Sequence, residues 1–218
     1  SKGGAASSGA LAAGKGGAIS FANAGDVVLG ASLTIESTDG ATGSAVTGGG
    51  INFTGKLDGT GAQAQNLTLK AGTGNIDFAN VVGTTALGDL TITGAAAVTA
   101  ASGANITAKS LTETGGTGTT TLRNVTTTGL ADVAGGAVSV TTAGAINVTG
   151  AITALGGTAG GANPGKAGGT VSLNSTGSTV SVAAIDASGS AAGTGVGGDG
   201  GAITLTTQAG QAITLNNN

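Results

Sequence analysis

The chain has 218 residues, among them 46 Gly, 41 Ala, 36 Thr and 16 Ser, while only 8% are charged and His, Cys, Met, Trp and Tyr are all absent. That vocabulary excludes a His-dependent triad, a Cys nucleophile, any disulfide and a Cys/His zinc site; an enzyme would have to run on carboxylates, Lys and hydroxyls, no set of which stands out, and no catalytic, cofactor-binding or metal-binding residue is expected. A formal charge of −3 from seven basic and ten acidic side chains supplies neither a basic footprint for nucleic acid nor an acidic tail, and the apolar runs fall far short of the roughly 18 to 20 residues that span a bilayer.

A Gly- and Ser-rich composition without an internal period predicts a low-complexity coil. Here a period exists. In chain order the predicted strands open at Gly16-Gly17-Ala18-Ile19-Ser20-Phe21 and Ser32-Leu33-Thr34-Ile35, then Gly49-Gly50-Ile51-Asn52-Phe53 and Asn66-Leu67-Thr68-Leu69. They continue through Gly74-Asn75-Ile76-Asp77-Phe78, Asp89-Leu90-Thr91-Ile92 and Ser110-Leu111-Thr112 to Gly136-Ala137-Val138-Ser139-Val140. Gly168-Gly169-Thr170-Val171-Ser172-Leu173, Gly200-Gly201-Ala202-Ile203-Thr204-Leu205 and Ala212-Ile213-Thr214-Leu215 complete the set. Apolar and polar residues alternate strictly over three to five positions, the period of a half-buried strand, and no window carries the i, i+3, i+4, i+7 spacing of a helix.

From Ile19 the first column of strands steps through Ile51, Ile76, Val98, Val138, Val171 and Ile203, by 32, 25, 22, 40, 33 and 32 residues. The 40-residue step is read as hiding a further coil near Leu122. Short strands repeating at this distance, joined by Gly, Asn and Asp turns, predict a solenoid. The fold expected is therefore all-β, a three-sided parallel β-helix of about seven to eight coils, with residues 1–218 forming one domain. Stacked coils would align those seven aliphatic residues in one apolar file and Phe21, Phe53 and Phe78 in another. The companion residues Ser20, Asn52, Asp77, Ser139, Ser172 and Thr204 would form a polar outer stripe.

Several motifs invite sharper readings. Gly160 to Lys166 has the G-x-x-x-x-G-K spacing of a phosphate-binding loop, yet Ala167 stands where Ser or Thr is required and no helix follows. Gly193 to Gly198 fits G-x-G-x-x-G but precedes a strand in a stretch that is mostly Gly. A calcium reading of Asp199 fails because tandem copies of the acidic repeat are missing. Asp77 and Asp89, in one coil, form the one carboxylate pair conceivable for glycoside chemistry. No aromatic subsite accompanies them, and the expectation is that the protein is not an enzyme. Glu36 and Lys70 share an offset in adjacent repeats and are expected to pair at the surface. Thr91-x-Thr93, Thr112-x-Thr114 and Thr204-x-Thr206 resemble a water-ordering array, but Glu36 and Lys70 occupy equivalent offsets and are expected to interrupt it.

Six Asn-x-Ser/Thr triplets, at Asn52, Asn66, Asn105, Asn124, Asn147 and Asn174, are candidate glycosylation sites. In five of them the central residue is apolar, so Asn and Thr would point outward together.

The Gly-Gly-x-Ile/Val-x-Phe/Leu strands, the Leu-Thr column and the segment from Val180 to Gly189 leading to Gly200-Gly201-Ala202-Ile203-Thr204-Leu205 resemble the repeats of filamentous-haemagglutinin-like exoproteins and related bacterial autotransporter adhesins. The resemblance covers nearly the whole chain and rests on repeat grammar. It implies a right-handed hand for the β-helix and an extracellular or cell-surface location in a bacterium. The function it implies is that of a non-catalytic stalk, fibre or biofilm-matrix element. Unlike those proteins, this segment is expected to hold neither a secretion domain nor a translocator barrel, which leaves the export route open. The bare strand edges expected at both ends lead to two further expectations: the chain is a segment of a longer repetitive protein, or copies stack end to end into a filament. Direct adhesion to a glycan or protein, and ice binding, are the alternatives.

Overall fold

The computed structural model describes residues 16–22, 25–39 and 47–216; the opening Ser1-Lys2-Gly3-Gly4 and the closing Asn217 and Asn218 lie outside the described residues. Within them the period-2 alternation yields eighteen strands and no helix. The first coil holds β1 (Ile19–Phe21), β2 (Val27–Leu29) and β3 (Leu33–Glu36), and the second β4 (Ile51–Phe53), β5 (Leu57–Gly59) and β6 (Leu67–Lys70). The third has β7 (Ile76–Phe78) and the long β8 (Val82–Thr93); the fourth has β9 (Val98–Ala100) and the long β10 (Ile106–Gly116). Next come β11 (Thr120–Leu122), β12 (Val125–Thr126) and β13 (Val138–Thr142), then β14 (Ile146–Thr153) and β15 (Val171–Ser175). The last full coil is β16 (Val180–Asp186) with β17 (Ile203–Thr207), and β18 (Ile213–Leu215) begins another.

Pairing between these strands is parallel throughout and joins each to its equivalent one coil away. The result is an open parallel β-solenoid with three stacked faces, because β8 and β10 bend from the second face into the third and β14 and β16 from the first into the second. At about 4.8 Å per rung, the eight rungs of the first face extend about 34 Å.

Each face has a leading inward file. The first runs Ile19, Ile51, Ile76, Val98, Thr120, Ile146, Val180, Ile213. The second runs Val27, Leu57, Val82, Ile106, Val125, Ile152, Ile185. The third runs Leu33, Leu67, Leu90, Leu111, Val138, Val171, Ile203. The single file expected from Ile19 to Ile203 is therefore two files spliced together. Val138, Val171 and Ile203 belong to the third face with the Leu-Thr strands, and their outward companions Ser139, Ser172 and Thr204 move with them. The cause lies in the loops. A Gly-Gly pair precedes whichever strand follows a long excursion: in the second coil the excursion leads into the first face, whereas in the last three coils it leads into the third. The coil expected near Leu122 is present, with Thr120 in the aliphatic file.

Phe21, Phe53 and Phe78 stack as expected, with ring centroids 4.8 and 5.6 Å apart and planes within 10° of parallel. Ala100 continues the file above Phe78. Between the faces one contiguous core of Ile, Leu, Val, Ala and Phe runs from Leu29 to Ala187, which is why so narrow a cross-section needs few large side chains.

Candidate functional site

The third face carries the most regular outer surface. Thr34, Thr68, Thr91, Thr112, Ser139, Ser172 and Thr204 are in register on consecutive rungs, an unbroken hydroxyl column. Two positions on, Thr93 aligns with Thr114, and Thr141 aligns with Asn174 and Thr206. Glu36 and Lys70 align with each other on the first two rungs, and the Glu36 carboxylate accepts a 2.6 Å hydrogen bond from the Thr38 hydroxyl. These charges sit at one end of the array, not in its middle. The expected interruption does not extend beyond the second rung, because Val138, Val171 and Ile203 bring their Ser-x-Thr, Ser-x-Asn and Thr-x-Thr neighbours onto this same face.

Asp77 and Asp89 are not brought together. Asp77 lies on the first face between Asn52 and Thr99. Asp89 opens the third-face half of β8, accepts from the Ser110 hydroxyl at 2.8 Å and lies 3.8 Å from the Lys109 ammonium. Among the described residues no three acidic side chains gather where a metal ion would be held.

The six Asn-x-Ser/Thr residues occupy two kinds of position. Asn52, Asn147 and Asn174 are outward strand residues. Asn66, Asn105 and Asn124 stand at corners, where their side-chain oxygens accept from the backbone N–H of Asp89, Asn124 and Ala151 on the next coil, at 2.8, 3.4 and 2.9 Å. The corner asparagines thus tie coil to coil, replacing a ladder bond where the chain turns.

The long Gly-rich loops are bonded to their own coils and to one another. Three successive loops close with the same bond: Gly136 N–H to Thr127 O, Gly169 to Ala154 O and Gly201 to Ala187 O, at 2.7, 2.7 and 2.8 Å. They also bond one another, as in Gly135 to Ala167 O, Gly156 to Ser188 O and Gly168 to Asp199 O. An added Cβ at Gly136 would overlap the Lys109 carbonyl, and one at Gly169 the Gly136 carbonyl, so glycine is required there by close backbone approach. Lys166, in the phosphate-loop-like spacing, lies 3.8 Å from Asp132 in the preceding loop. Asp132 also accepts from Asn163 Nδ2 and Gly160 N–H at 2.9 and 3.1 Å. These two hydrogen bonds, Asn163 first, hold the Asp132 carboxyl below its ordinary value despite its exposure.

Inside the solenoid the corners are fastened by buried hydroxyls. Ser37, Thr127, Thr142 and Ser175 donate to the carbonyls of Gly49, Gly136, Gly118 and Gly144 at 2.6 to 2.8 Å. One acid joins them. Glu113 is 2% exposed, stands in register between Ile92 and Val140, and accepts a 2.7 Å hydrogen bond from the Thr120 hydroxyl. Burial pushes its carboxyl up to about 7, against a smaller opposing effect of Thr120. Strand parity is the signal that locates it: inward Leu111 and outward Thr112 put Glu113 inside.

At the C-terminal end the stack opens. Ile203, Ile213 and Leu215 are exposed, and Val182, Ile185, Leu205 and Leu215 help line a cleft of about 510 Å³. No helix of the described residues is long and apolar enough to cross a membrane. No family model, no curated protein and no solved structure matches the chain.

Proposed function

We propose that this protein is a non-catalytic structural element of a bacterial extracellular fibre or cell-surface adhesin stalk, a stiff β-solenoid that stacks end to end. The supporting observation is the parallel pairing of coil on coil on all three faces, with the inward residues Ile203, Ile213 and Leu215 exposed in the last rungs described. Rigidity follows because each rung is hydrogen-bonded to the next and the core is continuous along the axis. An unpaired strand edge favours addition of further strands, whether from more of the same chain or from another copy. The outer faces, rich in hydroxyls and amides and poor in charge, keep such a rod soluble without a reactive group. Electron microscopy of the purified chain across a range of concentrations tests this reading. Filaments with a subunit rise of about 35 Å support end-to-end stacking, short rods at all concentrations support a passive stalk segment, and compact particles without an axial repeat overturn both.

One observation favours a second reading, ice binding. From the third rung to the last, the two outer positions that follow the leading inward residue of the third face hold Thr, Ser or Asn, beginning with Thr91 and Thr93 and ending with Thr204 and Thr206, with the Asp89 and Lys109 pair at the corner beside them. A flat hydroxyl grid can order a water layer. Absence of thermal hysteresis in solution removes this reading.

A further inference from the structure

Thr120 and Glu113 interrupt two aliphatic files at the same height. In the first face Thr120 stands between Val98 and Ile146; in the third Glu113 stands between Ile92 and Val140. Both are buried, at 0 and 2% exposure, and they touch through the 2.7 Å Thr120 Oγ1 to Glu113 Oε1 hydrogen bond. The strand register slips between Glu113 and Gly116, and Gly115 turns the chain with φ +70°. Gly116 is packed so closely on the Glu113 carboxyl and the Thr142 hydroxyl that a Cβ there would press on both. Thr142 in turn donates to Gly118 O, so the turn from Gly115 to Thr119 hangs on side chains at both ends.

Among the described residues no cation compensates the acid. Among the elements packed against it, β9, β11 and β13 carry no charged residue. β8 contributes Asp89 and its own strand Lys109, which pair with each other at the surface. Arg123, just beyond β11, donates to the carbonyls of Ala100 and Ala101 and to Thr149. An ionised carboxylate in this place is left in an apolar core with a single neutral donor, a costly arrangement.

We propose that Glu113 is a proton-controlled joint in the solenoid: as a neutral acid it closes the corner between β10 and β11, and its ionisation loosens that corner while the coils on either side stay stacked. The group is not a remnant of a surface charge, since the same inward position is aliphatic one coil away on either side.

The test is amide hydrogen exchange on the full chain from pH 4.5 to 8, corrected for intrinsic exchange. Protection at residues 114–121 is expected to fall by tenfold or more, up to about 300-fold if opening fully hydrates the carboxyl, through an opening insensitive to low urea, while any fall in β15 follows global stability and is urea-sensitive. In Glu113→Gln the fall should vanish. A smaller fall in the parent protein, or an equal fall in Glu113→Gln, overturns the proposal. Should Glu113→Gln not fold, the pair Glu113→Leu with Thr120→Val, which completes both aliphatic files, takes its place. Independently of any variant, the carbon-13 shift of the Glu113 carboxyl should titrate near neutrality, and a midpoint near 4.5 would sink the idea.

Discussion

Phe53 stacks on Phe21 with centroids 4.8 Å apart and ring planes 6° from parallel. Phe78 continues the stack, so Phe53 is held on both sides while Phe21 is only partly buried. Truncating the middle ring leaves a void between two others that cannot collapse across a hydrogen-bonded ladder. Phe53→Ala should therefore destabilise by about 3 to 5 kcal/mol and Phe21→Ala by less. Urea denaturation followed by far-ultraviolet circular dichroism measures both, and equal losses would show that the stack does not act as a unit.

Glycine in the stacked loops is demanded by close approach rather than by flexibility. Gly136→Ala and Gly169→Ala place a methyl group on a backbone carbonyl of the neighbouring coil. Each should cost several kcal/mol, in the range reserved for severe overpacking. Gly30→Ala is the contrasting case, with open space around the added atom and no positive φ, and should be neutral or stabilising by up to about 1 kcal/mol. Melting temperatures of the three variants decide the matter.

Global stability should depend on pH in a defined direction. Glu113 has its carboxyl raised from an ordinary 4.5 to about 7, so the folded state binds the proton more tightly than the unfolded one. Its contribution is fully present below pH 4.5, declines between 4.5 and about 7, and then levels off, a loss of at most about 3 kcal/mol. Asp132 and Asp186 are shifted the other way, Asp186 chiefly by the hydroxyl and backbone N–H of Ser188. What they contribute is present above about pH 4 and disappears as the pH falls through their lowered values. The stability maximum is expected between pH 4 and 5, and a maximum near pH 8 in denaturation series would contradict this assignment.

Loop stacking predicts resistance to proteolysis. The 156–169 loop is held by backbone bonds on both sides and by Asp132 through Asn163, Gly160 and Lys166. Asp132→Ala removes those three contacts and places Ala at a φ of 61°, which Ala tolerates poorly. Cleavage within 156–169 by a nonspecific protease should accelerate several-fold, whereas cleavage elsewhere should not change.

Among the six Asn-x-Ser/Thr sites, the corner residues Asn66, Asn105 and Asn124 use their side-chain oxygens to bind the next coil. Replacing Asn124 by Ala should destabilise by about 1 to 2 kcal/mol because the Ala151 N–H loses its acceptor. Asn52→Ala, on an outer strand position, should cost less than 1 kcal/mol. Intact-mass measurement of native material determines whether any of the six carries a glycan.

Much of this architecture was legible in the residues themselves. Strict alternation in segments such as Ile51-Asn52-Phe53 and Leu67-Thr68-Leu69, recurring at coil-length intervals, specifies strands, parallel stacking and the Phe file, because the two-residue period leaves one face to bury and repetition tells it against what. Local pattern does not say at which corner a strand begins. Gly-Gly-x-Ile looks the same entering the first face at Ile51 and the third at Ile203, since the glycines answer to the loop before them. Only the three-dimensional register placed Val138 over Leu111 rather than in the file of Val98. That same register assembled the hydroxyl column of the third face and set Asp77 and Asp89 apart. Glu113 lies between these cases: parity alone turns it inward, but that it meets Thr120, with no cation among the described residues to neutralise it, depends on how β10 and β11 close the corner, a matter of packing across the core that no run of neighbouring residues encodes.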